Sequence, residues 1–382
     1  MKIERKIIFF IRHENDLDFL FPILISCKNK KIIFWKKVDE NDYRIKYLKQ
    51  KKNCIYFLRY YQQSFFIKAS ITIVGNISRR ISKIIANMFE KIELITLKNS
   101  LIKLKDKIQF NEFDIIAFDH ISGKQVKTII DLSKQYNKKI ITISLPHGIN
   151  FFKNFVTEYN QTSIEKKNYN IFDHVFCSDE NHFNIFENNK KIIIQSPRYT
   201  NAYINFFIEN ILKFDNIEKQ NEIYQKNILY VHSKINGNIH FNEIKRLFKI
   251  VEKYKNLSIT IKKHPRGGYK ELKKIIPIKK YKISETHILQ SILSCDFVIC
   301  IQSIAIIDAL LLNKIVIVPT YFTSNIIEQK ILDYCIVIKS PDELINLVNN
   351  LSKNKLKIDK KILKIDNYDK ILLEWKNALE KL

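Results

Sequence analysis

The chain is poor in glycine and has no long apolar run. Only 6 of its 382 residues are glycine. A helix that spans a bilayer needs about 20 consecutive apolar residues, and the apolar stretches here are all shorter or interrupted, so the sequence predicts no transmembrane helix. The apolar run after the basic N-terminus covers only residues 7–11 and has no small-residue cleavage site behind it, which argues against a signal peptide. We therefore expect a cytoplasmic protein.

Cysteines are few and scattered. The chain has six of them, without a CxxC pair and without histidines at the spacing of metal ligands. Most lie in apolar segments. We expect buried free thiols and no metal site.

Acidic residues are scarce. The chain has 39 of them and 65 lysines and arginines, which gives a formal net charge of +26. Specific nucleic-acid binding requires that the cations cluster, whereas the lysines here are dispersed, so we expect no specific nucleic-acid partner. Residues 44–68 do interleave basic and aromatic residues. This pattern favours an amphipathic surface helix and a strand, and a patch for anionic lipid head groups stays open as the alternative.

What the sequence does contain is enough apolar residues for two cores. Hydrophobic residues make up 46% of the chain, and a single core stops growing at roughly 250 to 300 residues. The polar stretch before residue 226 marks the boundary. We expect a first domain at 1–210, a linker at 211–225, a second domain at 226–360, and a C-terminal helix at 361–382 that packs back on the first domain.

Short apolar strands alternate with helical periods in both halves. Such runs, rich in Ile, Val and Phe, are typical of parallel strands that are covered on both faces. The strands expected in the first half lie at 6–11, 30–35, 113–120, 138–148, 172–179 and 190–197, and about six more follow in the second half. The sequence predicts an α/β protein of two Rossmann-like, doubly wound domains that face each other across a cleft.

The strand ends indicate where a ligand would bind, because open parallel sheets bind ligands beyond the carboxyl ends of their strands. Five of the six glycines fall at or just after such ends. In the segment HPRGG, His264 and Arg266 stand beside Gly267 and Gly268, a combination that suits an anionic group. The alternative is that HPRGG is a tight turn and that Ser303 only caps its helix, but the convergence of several such motifs on one sheet edge favours a binding site.

The order IKKHPR, then CDFVICIQSIAIIDALLLNKIVIVP, resembles the nucleotide-binding half of GT-B glycosyltransferases that build bacterial surface polysaccharides. Polysialyltransferases, capsule Kdo transferases and teichoic acid polymerases share the HP motif and the later serine. The resemblance covers about residues 226–340. It implies that His264 and Ser303 contact the donor phosphate. The full set of donor-binding residues that we expect is Ser233, Lys234, Gly237, His264, Arg266, Gly267, Gln302 and Ser303.

The chain departs from these families in two places. Ile304 follows Ser303 where those families often have a second hydroxyl residue, and the acidic triplet of polysialyltransferases is missing. A CMP-sugar is favoured as donor, and UDP- and GDP-sugars stay open. The resemblance also implies catalysis without a metal, and the nucleotide-sugar is a substrate, so no cofactor is expected.

Sugar transfer with inversion needs a base that deprotonates the acceptor. The candidates from the first half are Asp119, which ends a strand, then Asp16, Asp18 and His147. An Asp at a strand-to-helix junction is also a common N-cap, so a capping role stays open for these aspartates.

The sequence thus predicts a cytoplasmic glycosyltransferase, peripheral on the inner face of the membrane, that builds a capsule, lipooligosaccharide or O-antigen glycan. Its partners would be a nucleotide-sugar donor and a glycan or glycolipid acceptor. Three alternatives remain: a CDP-glycerol or CDP-ribitol phosphotransferase, a nucleotide-sugar epimerase, and a basic lipid- or nucleic-acid-binding protein.

Overall fold

The computed structural model describes residues 2–62, 78–119, 123–145, 171–178, 190–212, 226–233, 239–264, 269–301, 303–324, 326–353 and 367–382. The chain divides into two compact units. The first unit contains Met1–Gly148, Tyr159–Arg198 and Asp369–Leu382, and the second contains Ile149–Glu158 and Tyr199–Tyr368. Of the expected linker, residues 213–225 lie outside the described residues, and the units divide earlier, after Arg198.

The first unit is built on a parallel sheet of seven strands in the order β3-β2-β1-β4-β5-β6-β7. Its central strands are apolar throughout and fully buried, as expected for a parallel sheet that is covered on both faces. The strands are β1 Ile7–Ile11, β2 Lys30–Phe34, β3 Cys54–Phe57, β4 Ile115–Phe118, β5 Ile141–Ser144, β6 His174–Cys177 and β7 Lys191–Ile193.

Helices cover this sheet, and the longest of them is α3, Arg79–Ile108. Buried α3 side chains, among them Leu97 and Leu101, share one core cluster with Phe10 and Phe118 of the sheet, and these two rings stack with centroids 5.2 Å apart. The described helices of the unit are α1 Leu17–Ser26, α2 Tyr43–Gln50, α3 Arg79–Ile108, α4 Lys124–Tyr136 and, at the end of the chain, α12 Tyr368–Lys381.

The last helix packs on the first unit. The Trp375 ring stacks on Phe176 of β6 with centroids 4.7 Å apart, and Trp375 Nε1 donates a 2.7 Å hydrogen bond to the carbonyl of Gln195. Because Trp375 is almost fully buried, these contacts pack the last helix against β6 and the residues that follow β7.

The second unit has a parallel sheet of six strands in the order β10-β9-β8-β11-β12-β13. The strands are β8 Lys226–Val231, β9 Leu257–Lys262, β10 Lys282–Ser284, β11 Phe297–Cys300, β12 Ile315–Pro319 and β13 Ile336–Ile338. The described helices are α5 Asn201–Asn210, α6 Phe241–Val251, α7 Tyr269–Ile275, α8 Ile288–Leu293, α9 Ala305–Leu311, α10 Gln329–Leu332 and α11 Pro341–Ser352.

The expectation of two Rossmann-like, doubly wound sheets is confirmed. The helix and strand expected within 44–68 are also confirmed as α2 and β3, with residues 63–68 outside the described part. The thirty-residue helix α3 and the short edge strand β10 were missed, and so were the helices α5, α7 and α10. Within the described residues, no helix is both long enough and apolar enough to cross a membrane.

Each sheet has one point where its strand order reverses. In the first unit β1 lies between β2 and β4, and in the second unit β8 lies between β9 and β11. Ligands of doubly wound sheets bind at this switch point, beyond the carboxyl ends of the strands. The residues that directly follow β1 and β4, and those that follow β8, β9 and β11, are therefore the first places to look for a site.

Candidate functional site

At the first switch point, Asp119 follows β4 and lies against the residues that follow β1. Its Oδ2 accepts a 2.8 Å hydrogen bond from the backbone N–H of Arg12, and Arg12 Nε lies 3.7 Å from the same oxygen. The adjacent pairing of β1 and β4 brings these residues together. Asp119 is only 1% exposed.

Asp16 is the second carboxyl group of this cluster. It is buried, and its carboxyl group lies beside that of Asp119. Two adjacent carboxylates repel each other, which favours the protonated form of Asp119. Burial, reinforced by the charge and hydrogen bond of Asp16, raises the pKa of Asp119 well above its ordinary value, while Arg12 opposes the shift.

His13 follows β1 in the same loop and is the solvent-exposed member of the cluster. Partial burial lowers the pKa of His13 below its ordinary 6.5, although Asp16 and Glu14 act in the opposite direction. An imidazole that is neutral at pH 7 can accept a proton. The sequence analysis named only the aspartates of the loop RHENDLD as candidate bases and did not include His13. The position of His13 directly after the first strand could have indicated a site residue.

Asp18 lies in α1, where it takes part in a different network. Its Oδ1 is 2.9 Å from Arg44 Nη1, and Arg44 Nη2 is 2.7 Å from Asp42 Oδ2. Burial lowers the pKa of Arg44, but Asp18 and Asp42 more than compensate and hold it well above its ordinary value. A catalytic role for Asp18 stays a prediction, and the geometry gives this carboxylate a structural partner instead. The fourth candidate, His147, lies outside the described residues.

At the second switch point, three neighbouring parallel strands deliver polar residues to one edge of the sheet. His232 and Ser233 follow β8, His264 follows β9 and Ser303 follows β11. Ser233 and His232 are fully buried, and His232 Nδ1 lies 3.4 Å from the hydroxyl of Tyr230. His264 and Ser303 are partly exposed. His232 was not singled out from the sequence, although it directly precedes Ser233.

Ser303 shows the capping geometry that the sequence had left open. Its Oγ accepts a 3.3 Å hydrogen bond from the backbone N–H of Ala305, at the start of α9. A hydroxyl that accepts one bond still carries a proton that it can donate, so this contact is compatible with donor binding. The other residues expected here lie outside the described part of the chain: Lys234, Gly237, Arg266, Gly267 and Gln302.

Lys262, the last residue of β9, adds a cation that the sequence argument did not single out. Burial lowers its pKa to about 8, while Glu285 raises it and Lys263 lowers it further. Its Nζ donates to the backbone carbonyls of Ser284 and Thr286. A bound anion would favour the charged ammonium, so this lysine suits an edge that binds phosphate.

One expected glycine position is described. Gly123 precedes α4 with φ of +118°, in the region that side chains other than glycine rarely adopt. The glycine there is therefore required by the backbone of the loop that leads from β4 and Asp119 into α4.

No family model matches the chain, and no curated protein matches it. Solved structures do. The UDP-GlcNAc 2-epimerase of Neisseria meningitidis, bound to UDP-GlcNAc, superposes with a TM-score of 0.59 at 13% identity over 99% of this chain and 100% of its own. The UDP-GlcNAc 2-epimerase of Methanocaldococcus jannaschii gives a TM-score of 0.55 at 14% identity, with 99% and 100% coverage. TarM of S. aureus, in complex with fondaparinux, alpha-GlcNAc-glycerol and UDP, gives 0.53 at 12% identity, with 97% and 99% coverage.

The chain has the GT-B fold. The identities are so low that the likeness establishes the fold and nothing finer. The narrower resemblance to polysialyltransferases, capsule Kdo transferases and teichoic acid polymerases stays a prediction, as do the roles of the individual site residues.

Proposed function

We propose that the chain is a glycosyltransferase that uses a nucleotide-activated sugar. The observation that carries this proposal is the pair of switch points, one bearing a buried acid group with a neutral imidazole beside it, the other bearing hydroxyl, imidazole and ammonium groups. The first set suits proton transfer, and the second suits binding of phosphate. The bound UDP-GlcNAc and UDP of the similar structures agree with a nucleotide-sugar substrate.

The second unit would hold the donor. His264 and Ser303 follow β9 and β11, the two strands that flank β8, and can donate hydrogen bonds to phosphate oxygens, and Lys262 adds positive charge at the same sheet edge. These groups would stabilise the negative charge that develops on the departing nucleotide as the bond to the sugar breaks. The five undescribed residues named above are proposed to complete this set.

The first unit would supply the proton acceptor. In an inverting transfer, the acceptor oxygen bonds to the anomeric carbon, the nucleotide leaves with the electron pair of the broken bond, and a base takes the acceptor's proton. His13 is the exposed and neutral group that fits this base. Asp16 and Asp119 are the buried carboxyl groups of the same cluster. Because Asp119 is 1% exposed, we assign it a positioning role, in which it orients Arg12 by accepting the hydrogen bond of the Arg12 backbone N–H.

The finer identities are also proposals. A CMP-sugar is favoured by the HP motif and the later serine, whereas the similar structures contain UDP or UDP-GlcNAc. The acceptor is proposed to be a growing capsule, lipooligosaccharide or O-antigen glycan, which would bring the enzyme to the cytoplasmic face of the membrane.

A nucleotide-sugar epimerase is the second candidate. Two epimerase structures superpose over nearly the whole chain, and the carboxyl group of Asp119, whose pKa burial raises, together with the imidazole of His13 would provide an acid and a base, as removal and return of a proton at a ring carbon require. No specific observation favours the phosphotransferase or a nucleic-acid-binding protein.

One reaction, followed by NMR in D2O, separates the two candidates. The protein is incubated with CMP-, UDP- and GDP-sugars, with and without an oligosaccharide acceptor. A transferase releases the free nucleotide and forms a glycan only when the acceptor is present. An epimerase converts the nucleotide-sugar to its stereoisomer without acceptor and incorporates solvent deuterium at the inverted carbon. If the folded protein is stabilised by no nucleotide and converts no nucleotide-sugar, both candidates are wrong.

A further inference from the structure

Helix α3 is apolar on two opposite faces. On its inner face, Leu97, Leu101 and Ile108 are fully buried in the core of the first unit. On its outer face, six large apolar side chains have exposed fractions between 37% and 62%: Ile81, Ile84, Met88, Ile92, Ile95 and Ile102. A helix with apolar residues on both faces is expected to be covered on both. Within the described part of the chain, the inner face is covered and these outer side chains are not.

The six outer residues form one stripe. Their spacing follows the helical repeat, and at 3.6 residues per turn all six fall within an arc of about 80°. Among the described residues, eleven large hydrophobic side chains are exposed, and these six make up more than half. Single exposed apolar residues are ordinary, but a continuous stripe of them marks a surface that binds something.

The stripe is bordered by positive charge. Arg80, Lys91 and Lys98 are exposed along one side of it at the helical repeat, and Lys103 is exposed on its other side. Neither acid in the middle of the helix offsets this charge, since Glu90 pairs with Lys124 at 2.6 Å and Glu93 is buried. The first exposed carboxylate of α3 is Asp106, beyond the end of the stripe. The outer face is therefore apolar along its centre and cationic mainly along one side.

We propose that this outer face of α3 docks the protein on an anionic lipid bilayer, with the helix lying in the plane of the interface. An amphipathic helix binds such a surface by burying its apolar stripe among the acyl chains while its lysines contact the phosphates. The stripe from Ile81 to Ile102 would run about 30 Å along the membrane.

The charge decides between a bilayer and a second copy of the chain. A symmetric pairing of two α3 helices would bring the row of Arg80, Lys91 and Lys98 in one copy against the same row in the other, and like charges that meet across an interface weaken it. An anionic surface complements both the row and the stripe. The basic and aromatic segment 44–68 is a poorer candidate, because Ile45, Tyr47 and Leu48 of α2 point into the core.

The test is flotation of the full chain with vesicles of phosphatidylcholine alone and of phosphatidylcholine mixed with phosphatidylglycerol. Wild type is expected to float with the anionic vesicles and to be released by high salt, because screening weakens the lysine contacts. The double variant Ile84→Asn, Ile95→Asn should bind at least ten-fold more weakly. The pair Lys91→Gln, Lys98→Gln should also bind more weakly and lose part of the salt dependence.

Ile326→Asn is the matched control, since Ile326 is 55% exposed in the second unit and lies outside the stripe. It should float like wild type. Each variant is compared with wild type only if its melting temperature is unchanged. If the isoleucine variant does not fold, the lysine variant alone tests the proposal.

Three results would overturn the proposal. These are wild type that ignores anionic vesicles, flotation that neither α3 variant weakens, and a wild-type dimer that becomes monomeric in the isoleucine variant without any vesicle binding. The docking stands on its own and does not depend on the enzymatic activity, because vesicle flotation and nucleotide binding are measured separately.

Discussion

The carboxyl edges of the two sheets have the same topology and opposite chemistry. Behind β1 and β4 lie the buried carboxyl groups of Asp16 and Asp119, with His13 exposed beside them, and burial raises the pKa of Asp119. Behind β8, β9 and β11 lie hydroxyl, imidazole and ammonium groups, several of them partly exposed. Both switch points have the same strand order, so strand order cannot explain the chemical difference between them. The side chains that follow the strands explain it, because those at the first edge are suited to proton transfer and those at the second to binding an anion.

The largest effect is expected at His13. If it is the base, His13→Gln should lower turnover by about 10²- to 10⁴-fold, the usual contribution of general base catalysis, and should leave nucleotide affinity unchanged. Steady-state kinetics and calorimetric titration check the two parts. His174→Gln is the control, because His174 begins β6 and so does not follow a strand at either switch point. Equal turnover in the two variants would remove His13 from the mechanism.

Substitution of Arg44 tests whether the Asp18 carboxylate stabilises the fold or acts in catalysis at the first switch point. Arg44→Met should cost about 3 to 5 kcal/mol in the free energy of unfolding, because it leaves Asp18 and Asp42 without their buried cation. Urea unfolding measures this loss. Asp18→Asn should likewise affect stability more than turnover. A folded Asp18→Asn protein of normal stability and greatly reduced turnover would instead support the catalytic prediction for this residue.

His264 is the most direct test of the second edge. His264→Ala should weaken nucleotide binding by roughly 10- to 100-fold, corresponding to about 1.5 to 3 kcal/mol for a hydrogen bond to a charged group. Calorimetric titration with the best-binding nucleotide measures the change. His287→Ala, at the capping residue of α8, serves as the comparison, and an equal loss in both variants would mean that the effect is not specific to the site.

The smallest effect is the pH dependence that Asp119 adds. Since burial raises the folded pKa of Asp119, its contribution to stability is complete below the unfolded pKa and is lost as the pH rises through the folded pKa. Asp119→Asn cannot ionise. Relative to this variant, wild type should lose up to about 1.4 kcal/mol per pH unit within that window, as unfolding at several pH values would show. Parallel curves for the two proteins would contradict a raised pKa for Asp119.

The sequence predicted the parts of this comparison that depend on local pattern. Uniformly apolar runs such as Ile7–Ile11 identified buried parallel strands, and the rule that ligands bind at strand ends pointed to Asp119, His264 and Ser303. The sequence did not reveal that Asp16 would meet Asp119, because that contact depends on β1 pairing with β4 rather than only with β2.

Two of the missed elements escaped prediction for physical reasons. Apolar residues on opposite faces of α3 blur the helical period, so the helix does not look amphipathic in the usual one-sided way. The strand β10 has three residues and only one of them, Ile283, is apolar, so it carries almost no signal at the sheet edge.

The central claim, that the second edge binds a nucleotide and the first edge moves a proton, is tested most directly by melting temperature. Wild type, His264→Ala and His13→Gln are each measured with CMP, CDP, UDP and GDP. A ligand at a hundred times its Kd stabilises a protein by about 2.7 kcal/mol, so a bound nucleotide gives a clear shift. We expect at least one nucleotide to raise the melting temperature of wild type and His13→Gln equally and of His264→Ala much less. A shift in none of the proteins, or one that is lost in His13→Gln and kept in His264→Ala, would contradict the claim.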